Sequence, residues 1–187
     1  MRAFIALEVP EGVKDRVESA KGALEFGGVV FVRRDAMHIT LEFLGEIGER
    51  DAELAAEAMR GVEFKPFRVS LRGLSYFSPG FVKVIFARVE EGASELADLY
   101  LRLGGALSRN GFGPVHGDYV PHLTVARVKG AADRKGILSA LGGFAGTDFG
   151  SFRARSVVLK RSVLAREGPA YTDLFKLESG PEPSEIR

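Results

Sequence analysis

The chain has 187 residues, of which 45% are apolar, and this is enough for one domain or for two small lobes that share a core. It contains no cysteine, which excludes disulfides, thiolate catalysis and cysteine-ligated zinc. The formal net charge of +1 provides no long-range field that would attract nucleic acid, so any contact with RNA or DNA must depend on local basic clusters.

The N-terminal stretch RAFIALE has the alternation of a strand, and its apolar run stops at Glu8 without a small-residue cleavage site. No apolar run in the sequence approaches the length of a membrane span. We therefore expect a cytoplasmic protein that has no contact with a membrane.

Hydrophobic periodicity and turn residues predict an alternation of strands and helices. Strands are predicted over residues 2–8, 29–32, 37–45, 67–77, 81–89, 118–128, 151–163 and 169–177. Helices are predicted from Pro10 to the Gly27–Gly28 pair and over residues 49–61, 93–109 and 131–141. Short links between successive strands favour antiparallel pairing, and hence an α+β fold. Because Pro121 lacks an N–H group, it must lie at a bulge, at an edge or at a position that donates no hydrogen bond.

The same short pattern occurs in two of the predicted strands, as HITL at residues 38–41 and HLTV at residues 122–125. The chain has three histidines and four threonines, so two chance occurrences of this spacing have a probability on the order of one in a thousand. The two strands hold comparable places in the two halves of the chain. This hints at an internal duplication, with two similar lobes facing each other.

Alternation within a strand places His38 and Thr40 on one face, and it does the same for His122 and Thr124. A single strand histidine is most often structural, but the repetition favours a function. Two imidazoles with unperturbed pKa values of about 6.5 can serve as acid and base near neutral pH, while threonine hydroxyls donate hydrogen bonds to an anion. These residue types indicate acid–base catalysis on a phosphodiester, which needs no metal.

Both motifs resemble the paired H-x-T-x motifs of the 2H phosphoesterase superfamily. The segments RAFIALEVP, HITLEFLGE, HLTVARVK and LKRSVLAREGPAYTDL resemble its branch of RNA 2′,3′-cyclic phosphodiesterases, also called 2′-5′ RNA ligases. The resemblance covers residues 1–177 and implies a single bilobal α+β domain. Its two pseudo-symmetric lobes, each with an antiparallel sheet and flanking helices, should enclose an active-site groove between the sheets. Residues 178–187 are expected to form a disordered tail.

The resemblance also implies a reaction, which is the cofactor-free hydrolysis of RNA 2′,3′-cyclic phosphate ends, or of nucleoside 2′,3′-cyclic phosphates, to 2′-phosphates. His38 carries over as the proton donor to the leaving 3′ oxygen, and His122 as the proton acceptor from water. Thr40 and Thr124 carry over as phosphate ligands. Because the motifs are nearly symmetric, the sequence leaves the direction of proton transfer open.

Two alternatives remain open, and a monomer is expected in each case. The first is the reverse reaction, in which the same residues join RNA ends through a 2′-5′ linkage. The second is a non-catalytic nucleotide- or RNA-binding module that uses the histidine–threonine pairs only to bind phosphate.

Arg127 matches an arginine of the second motif, but regular alternation points it away from His122. It reaches the phosphate only if the strand bends or bulges after Ala126. A weaker alternative is a metal site formed by His116 with the two motif histidines, near Asp118 or Glu42.

Several further residues near the motifs are candidates for RNA contacts. Family members often carry a tryptophan shortly before the first motif, whereas this chain has none and Phe31 stands nearby. Tyr171 is a candidate pocket residue. Basic side chains that can contact phosphates, although such charges are usually solvated, are Arg33, Arg34, Lys129, Lys160 and Arg161. Aromatic residues expected mainly in the core, with one of them able to stack a base, are Phe4, Phe43 and Phe77.

Overall fold

A computed structural model of the chain describes residues 1–77, 80–114, 118–165 and 168–181. The strands are β1 (Arg2–Glu8), β2 (Val29–Phe31), β3 (His38–Glu46), β4 (Phe67–Phe77), β5 (Val84–Glu91), β6 (His122–Val128), β7 (Asp148–Ala154), β8 (Ser156–Ala165) and β9 (Gly168–Glu178). The helices are α1 (Glu11–Ala20), α2 (Glu49–Arg60), α3 (Ala93–Arg109) and α4 (Arg134–Gly143), with 3₁₀ turns at Lys21–Leu24 and Arg34–Ala36.

The described strands form one antiparallel sheet with the order β7-β4-β5-β6-β3-β1-β8-β9, and β2 pairs with β6 beside this path. Four strands of this path lie on each side of the junction between β6 and β3. Helices α2 and α3 contact the half that contains β3 and β9, whereas α1 and α4 contact β7 and β4 of the other half. The predicted α+β fold with two similar halves is confirmed, and the two sheets are continuous through the junction.

A buried layer on the helical side supports the junction. Ile39 of β3 and Leu123 of β6 are fully buried, and α3 contributes Leu96, Leu99 and Leu103, which are also fully buried. These leucines recur every three or four residues, so they share one face of the helix. Because burial of each such side chain contributes about 1.5–3 kcal/mol, this layer fixes the two central strands against the helices.

Two predicted strands differ from the observed ones for local reasons. The predicted strand 151–163 is two strands separated by Arg155, since β7 pairs with β4 in one half and β8 pairs with β1 in the other. The predicted strand 118–128 begins only at His122, because Pro121 has no N–H group to donate to a neighbouring strand.

The C-terminal residues remain attached to the fold beyond the last strand. The Ser179 N–H group donates to the carbonyl oxygen of Arg155 at 2.6 Å, and the Gly180 N–H group donates to that of Phe64 at 2.8 Å. The other end of the predicted tail, residues 182–187, lies outside the described residues. Within the described part of the chain, no helix has the length and apolarity needed to span a membrane.

Candidate active site

The junction between β3 and β6 brings the two H-x-T segments side by side. Ile39 pairs with Leu123, and both side chains point into the core. Because side chains alternate along a strand, the histidine and threonine that flank Ile39 and those that flank Leu123 point to the opposite face, where each is partly exposed. In a regular antiparallel register, side chains directly opposite each other have Cβ atoms about 5 Å apart, and diagonal neighbours are about 7–8 Å apart. The side chains that this register gathers on one face are His38, Thr40, His122 and Thr124.

A β-bulge follows the second H-x-T segment and changes the direction of Arg127. Thr124 pairs with Phe86 of β5, while Ala126 pairs with the preceding residue of β5, so Val125 is an extra residue in β6. One extra residue reverses the alternation beyond it, and Arg127 therefore returns to the face of the H-x-T segment. The bulge that Arg127 requires is thus present, at Val125 and Ala126.

A second bulge follows the first H-x-T segment. The pairing of β3 with β1 skips Leu41, so Phe43 returns to the same face as His38. The Phe43 side chain is 69% exposed, and the expectation that it lies in the core is wrong because regular alternation fails at this bulge. Phe43 and Arg127 each stand five places after a motif histidine. The two halves therefore present an aromatic ring and a guanidinium group at equivalent positions.

The imidazole of His38 is held between two aromatic rings. Phe4 stacks on it with 4.7 Å between ring centroids, and Tyr171 of β9 meets it edge-on at 5.3 Å. The ring also forms a hydrogen bond with the backbone of Ala36. Phe4 is buried, as predicted, and Tyr171 lies within the site. These contacts fix the plane of the His38 ring and leave it little freedom to rotate.

The imidazole of His122 has a matching environment in the other half. Phe77 and Phe86 meet it edge-on, with centroid distances of 4.8 and 5.2 Å. Its Nδ1 atom lies 2.8 Å from the carbonyl oxygen of Val120. A carbonyl oxygen only accepts hydrogen bonds, so Nδ1 carries the hydrogen in the neutral ring. The Nε2 lone pair of His122 is consequently free to accept a proton.

Burial lowers the pKa values of both histidines. The pKa of His38 falls to about 4, mainly through burial and secondly through the ammonium group of Lys160. Burial also lowers the pKa of His122, and the charge of Arg127 acts in the same direction. Both rings are therefore neutral near pH 7 in the free protein. A phosphate between them would favour their charged forms and so raise both pKa values.

Lys160, a buried residue near His38, forms ion pairs with two exposed carboxylates. Its ammonium group donates to Glu8 at 2.7 Å and to Asp173 at 2.6 Å, and the residue is 8% exposed. Two donors of the Lys160 ammonium group are engaged by carboxylates, and its contact with an RNA phosphate stays a prediction. Sequence reasoning missed this cluster, since it forms only when β8 pairs with both β1 and β9.

Four other basic residues that the sequence marks as phosphate contacts lie near the surface. Arg33 forms an ion pair with Asp35, and Arg34 forms ion pairs with two carboxylates of α1. Lys129 and Arg161 are exposed. Contacts of these residues with RNA stay predictions.

The metal-site alternative requires three histidines, two of which are described. Among the described residues, no group of three or more histidine, aspartate or glutamate side chains is close enough to bind a metal ion. His116, which this alternative requires, lies outside the described residues.

A family model described as the 2′-5′ RNA ligase superfamily matches residues 9–163. The chain belongs to this superfamily. The predicted resemblance is confirmed, and curated relatives agree with it. A protein of Methanothermobacter thermautotrophicus named RNA 2′,3′-cyclic phosphodiesterase is 37% identical over 93% of this chain and 96% of its own length. A protein of Archaeoglobus fulgidus with the same name is 34% identical over 95% of this chain and all of its own length.

Two solved structures share the fold of this chain. A crystal structure from Thermus thermophilus has a TM-score of 0.78 and 30% identity, over 95% of this chain and 97% of that one. E. coli LigT complexed with 3′-AMP has a TM-score of 0.76 at 20% identity, over 96% of this chain and 98% of that one, and at this identity it supports the fold alone.

Proposed function

We propose that this superfamily member hydrolyses RNA 2′,3′-cyclic phosphate ends, and nucleoside 2′,3′-cyclic phosphates, to 2′-phosphates without a metal ion. The observation that carries the proposal is the β3–β6 junction, where each half contributes one histidine and one threonine to the same exposed face. The names of the Methanothermobacter and Archaeoglobus relatives support the choice of substrate. Residues 1–177 then act as one bilobal domain, since neither half holds a complete site.

The substrate phosphate lies between the two strands, where the hydroxyls of Thr40 and Thr124 donate to its non-bridging oxygens. Arg127 adds a charge-assisted hydrogen bond, which the bulge at Val125 makes geometrically available. Among the described residues, no carboxylate forms an ion pair with Arg127, so its guanidinium group can turn to an anion.

The two histidines divide the proton transfers between them. Nε2 of His122 takes a proton from water as the water oxygen forms a bond to phosphorus. The bond between phosphorus and the 3′ oxygen breaks, and His38 gives its proton to that oxygen. The products are a 2′-phosphate and a 3′-hydroxyl, and one proton has moved from water to the leaving group by way of the two rings.

Anion binding supplies the charge state that this mechanism needs. A neutral His38 cannot donate to the leaving oxygen, and burial holds its pKa at about 4 in the free protein. The negative charge of the bound phosphodiester raises this pKa, so that His38 takes up a proton as the substrate binds. The pH profile should be bell-shaped, because one imidazole must be charged while the other is neutral.

The test is turnover of adenosine 2′,3′-cyclic phosphate in the presence of EDTA by the His38→Ala and His122→Ala variants. Each should lose roughly 10²- to 10⁴-fold in kcat, which is the usual contribution of one general acid or base. His116→Ala is the matched control, because it removes the remaining histidine and should retain activity. Wild-type turnover by either motif variant would overturn the mechanism, and loss of activity in EDTA or in the control would favour a metal site.

The same preparation of the wild-type protein distinguishes hydrolysis from the two alternative functions, which are RNA ligation and phosphate binding without catalysis. Adding RNA with a 5′-hydroxyl end to RNA with a cyclic phosphate end should still give mainly 2′-phosphate. A dominant 2′-5′-linked product would instead assign ligation. Tight binding of the cyclic phosphate without any product would assign a binding module.

A further inference from the structure

We propose that Tyr119 is a positioning residue for the proposed reaction: its hydroxyl group ties the backbone of Thr40 to the second half of the molecule and thereby aims the Thr40 side chain at the phosphate. This inference rests on the proposed function. It adds a residue that lies outside both H-x-T segments and that does not itself face the groove.

One hydrogen bond joins Tyr119 to the first H-x-T segment. Its hydroxyl oxygen lies 3.0 Å from the carbonyl oxygen of Thr40, which is 79 residues away in the sequence. A carbonyl oxygen only accepts hydrogen bonds, so the tyrosine hydroxyl is the donor. Because Tyr119 stands shortly before His122, this bond connects the segment that leads into β6 directly to β3.

Regular strand pairing is interrupted on both sides of Thr40. Towards β6, Ile39 and Leu123 form the one residue pair that joins the two strands within the described part of the chain. Pro121 has no N–H group, so the backbone offers no donor at the point where β6 would continue along β3. Towards β1, the bulge at Leu41 interrupts the register immediately after Thr40. The tyrosine hydroxyl therefore supplies a bond that the backbone ladder does not provide.

The ring of Tyr119 is held by α3, on the side of the sheet opposite the groove. It stacks on Tyr100 with 4.5 Å between ring centroids and an angle of 16° between the ring planes. Tyr100 is buried, and α3 also packs against β3. Because one helix supports both the tyrosine and the strand to which it donates, the hydroxyl has a fixed position relative to β3. It can therefore orient Thr40 without touching the substrate.

The hydroxyl group acts as a hydrogen-bond donor and takes no part in proton transfer. Burial raises the pKa of Tyr119 above its ordinary value of about 10, and Tyr100 and Glu42 act in the same direction. The hydroxyl consequently keeps its proton wherever the two motif histidines titrate. The carbonyl carbon and Cβ of Thr40 are bonded to the same Cα atom, so holding the carbonyl group restricts the direction of the side chain. A displacement of about 1 Å in a group that contacts the reacting atoms can cost about 10²-fold in rate.

The experiment is a double-mutant cycle of Tyr119→Phe and Thr40→Ala, with the kcat for adenosine 2′,3′-cyclic phosphate measured where circular dichroism shows each variant to be folded. Tyr119→Phe keeps the ring that stacks on Tyr100 and should lower kcat about 5- to 100-fold. Thr40→Ala removes the phosphate ligand and should lower kcat about 10²- to 10³-fold. In the Thr40→Ala background, Tyr119→Phe should cost less than about twofold, because the side chain that it orients is absent.

Tyr76→Phe is the matched control, since it removes a tyrosine hydroxyl from β4 and leaves the bond to Thr40 in place. Its kcat should stay within about twofold of wild type. An equal loss from Tyr119→Phe in both backgrounds would show a general effect on the folded state and overturn this inference, as would a Tyr119→Phe variant with the kcat of the wild type. If the wild type did not turn over the cyclic phosphate, the proposed function would fall and this inference with it.

Discussion

The low pKa of His38 makes the stability of the protein depend on pH in a way that one substitution should remove. The unfolded chain takes up a proton at His38 below about pH 6.5, whereas the folded chain accepts it only near pH 4. Lowering the pH through this window therefore favours the unfolded state. With these two pKa values, linkage gives a loss of about 2 kcal/mol in the free energy of unfolding between pH 8 and pH 5.

His38→Gln should abolish that loss, because glutamine does not titrate and its amide can still donate to a backbone carbonyl. The assay is urea unfolding of both proteins at pH 8 and pH 5, followed by circular dichroism. The wild type should lose about 2 kcal/mol more than the variant. His122 titrates in both proteins, so its contribution cancels in the comparison. An equal loss in the two proteins, or an NMR titration of His38 near pH 6.5, would refute the reasoning.

Two further predictions concern charges close to the histidines. Arg127→Gln should lower kcat/KM about 10- to 150-fold, because a hydrogen bond to a charged group contributes about 1.5–3 kcal/mol. Steady-state kinetics would measure this loss, and Arg50→Gln on α2 is the control for the removal of one positive charge. Lys160→Met should raise the pKa of His38 above about 4, because it removes the ammonium group that lowers this pKa and leaves the charge of Glu8, which raises it. An NMR titration of His38 that is unchanged in the variant would contradict this.

The histidine–threonine pairs could be predicted from sequence because they depend only on the twofold period of a strand. The spacing of His38 and Thr40 fixes a shared face wherever the strand lies, and burial of Ile39 decides which face that is. The strand pairing across the junction could be expected only from the repetition of the motif and from the resemblance to a family. The same period also sets the condition for Arg127, because only an extra residue in the strand can bring it to the histidine face.

Features that arise between distant strands could not be predicted from one sequence. A bulge is defined by the partner strand, so the register of β1 and β5 had to be known before Phe43 and Arg127 could be placed. Similarly, the environment of Lys160 comes from β1 on one side and β9 on the other. The break at Arg155 reflects a change of partner strand, which local hydrophobic patterning does not record.

Because the two halves of the site are nearly symmetric, each supplies the same kinds of side chain. The proposed direction of proton transfer depends on the residues at which the halves differ. Each half supplies a histidine, a threonine and a bulge, so these features alone cannot decide which ring donates and which accepts. The halves differ at the fifth place after the histidine, where one has Phe43 and the other has Arg127. They differ again beside the ring, because the cluster of Lys160 and its two carboxylates adjoins only His38. In the proposed reaction, Arg127 binds the phosphate from the second half of the molecule, His38 faces the leaving oxygen and His122 faces the attacking water.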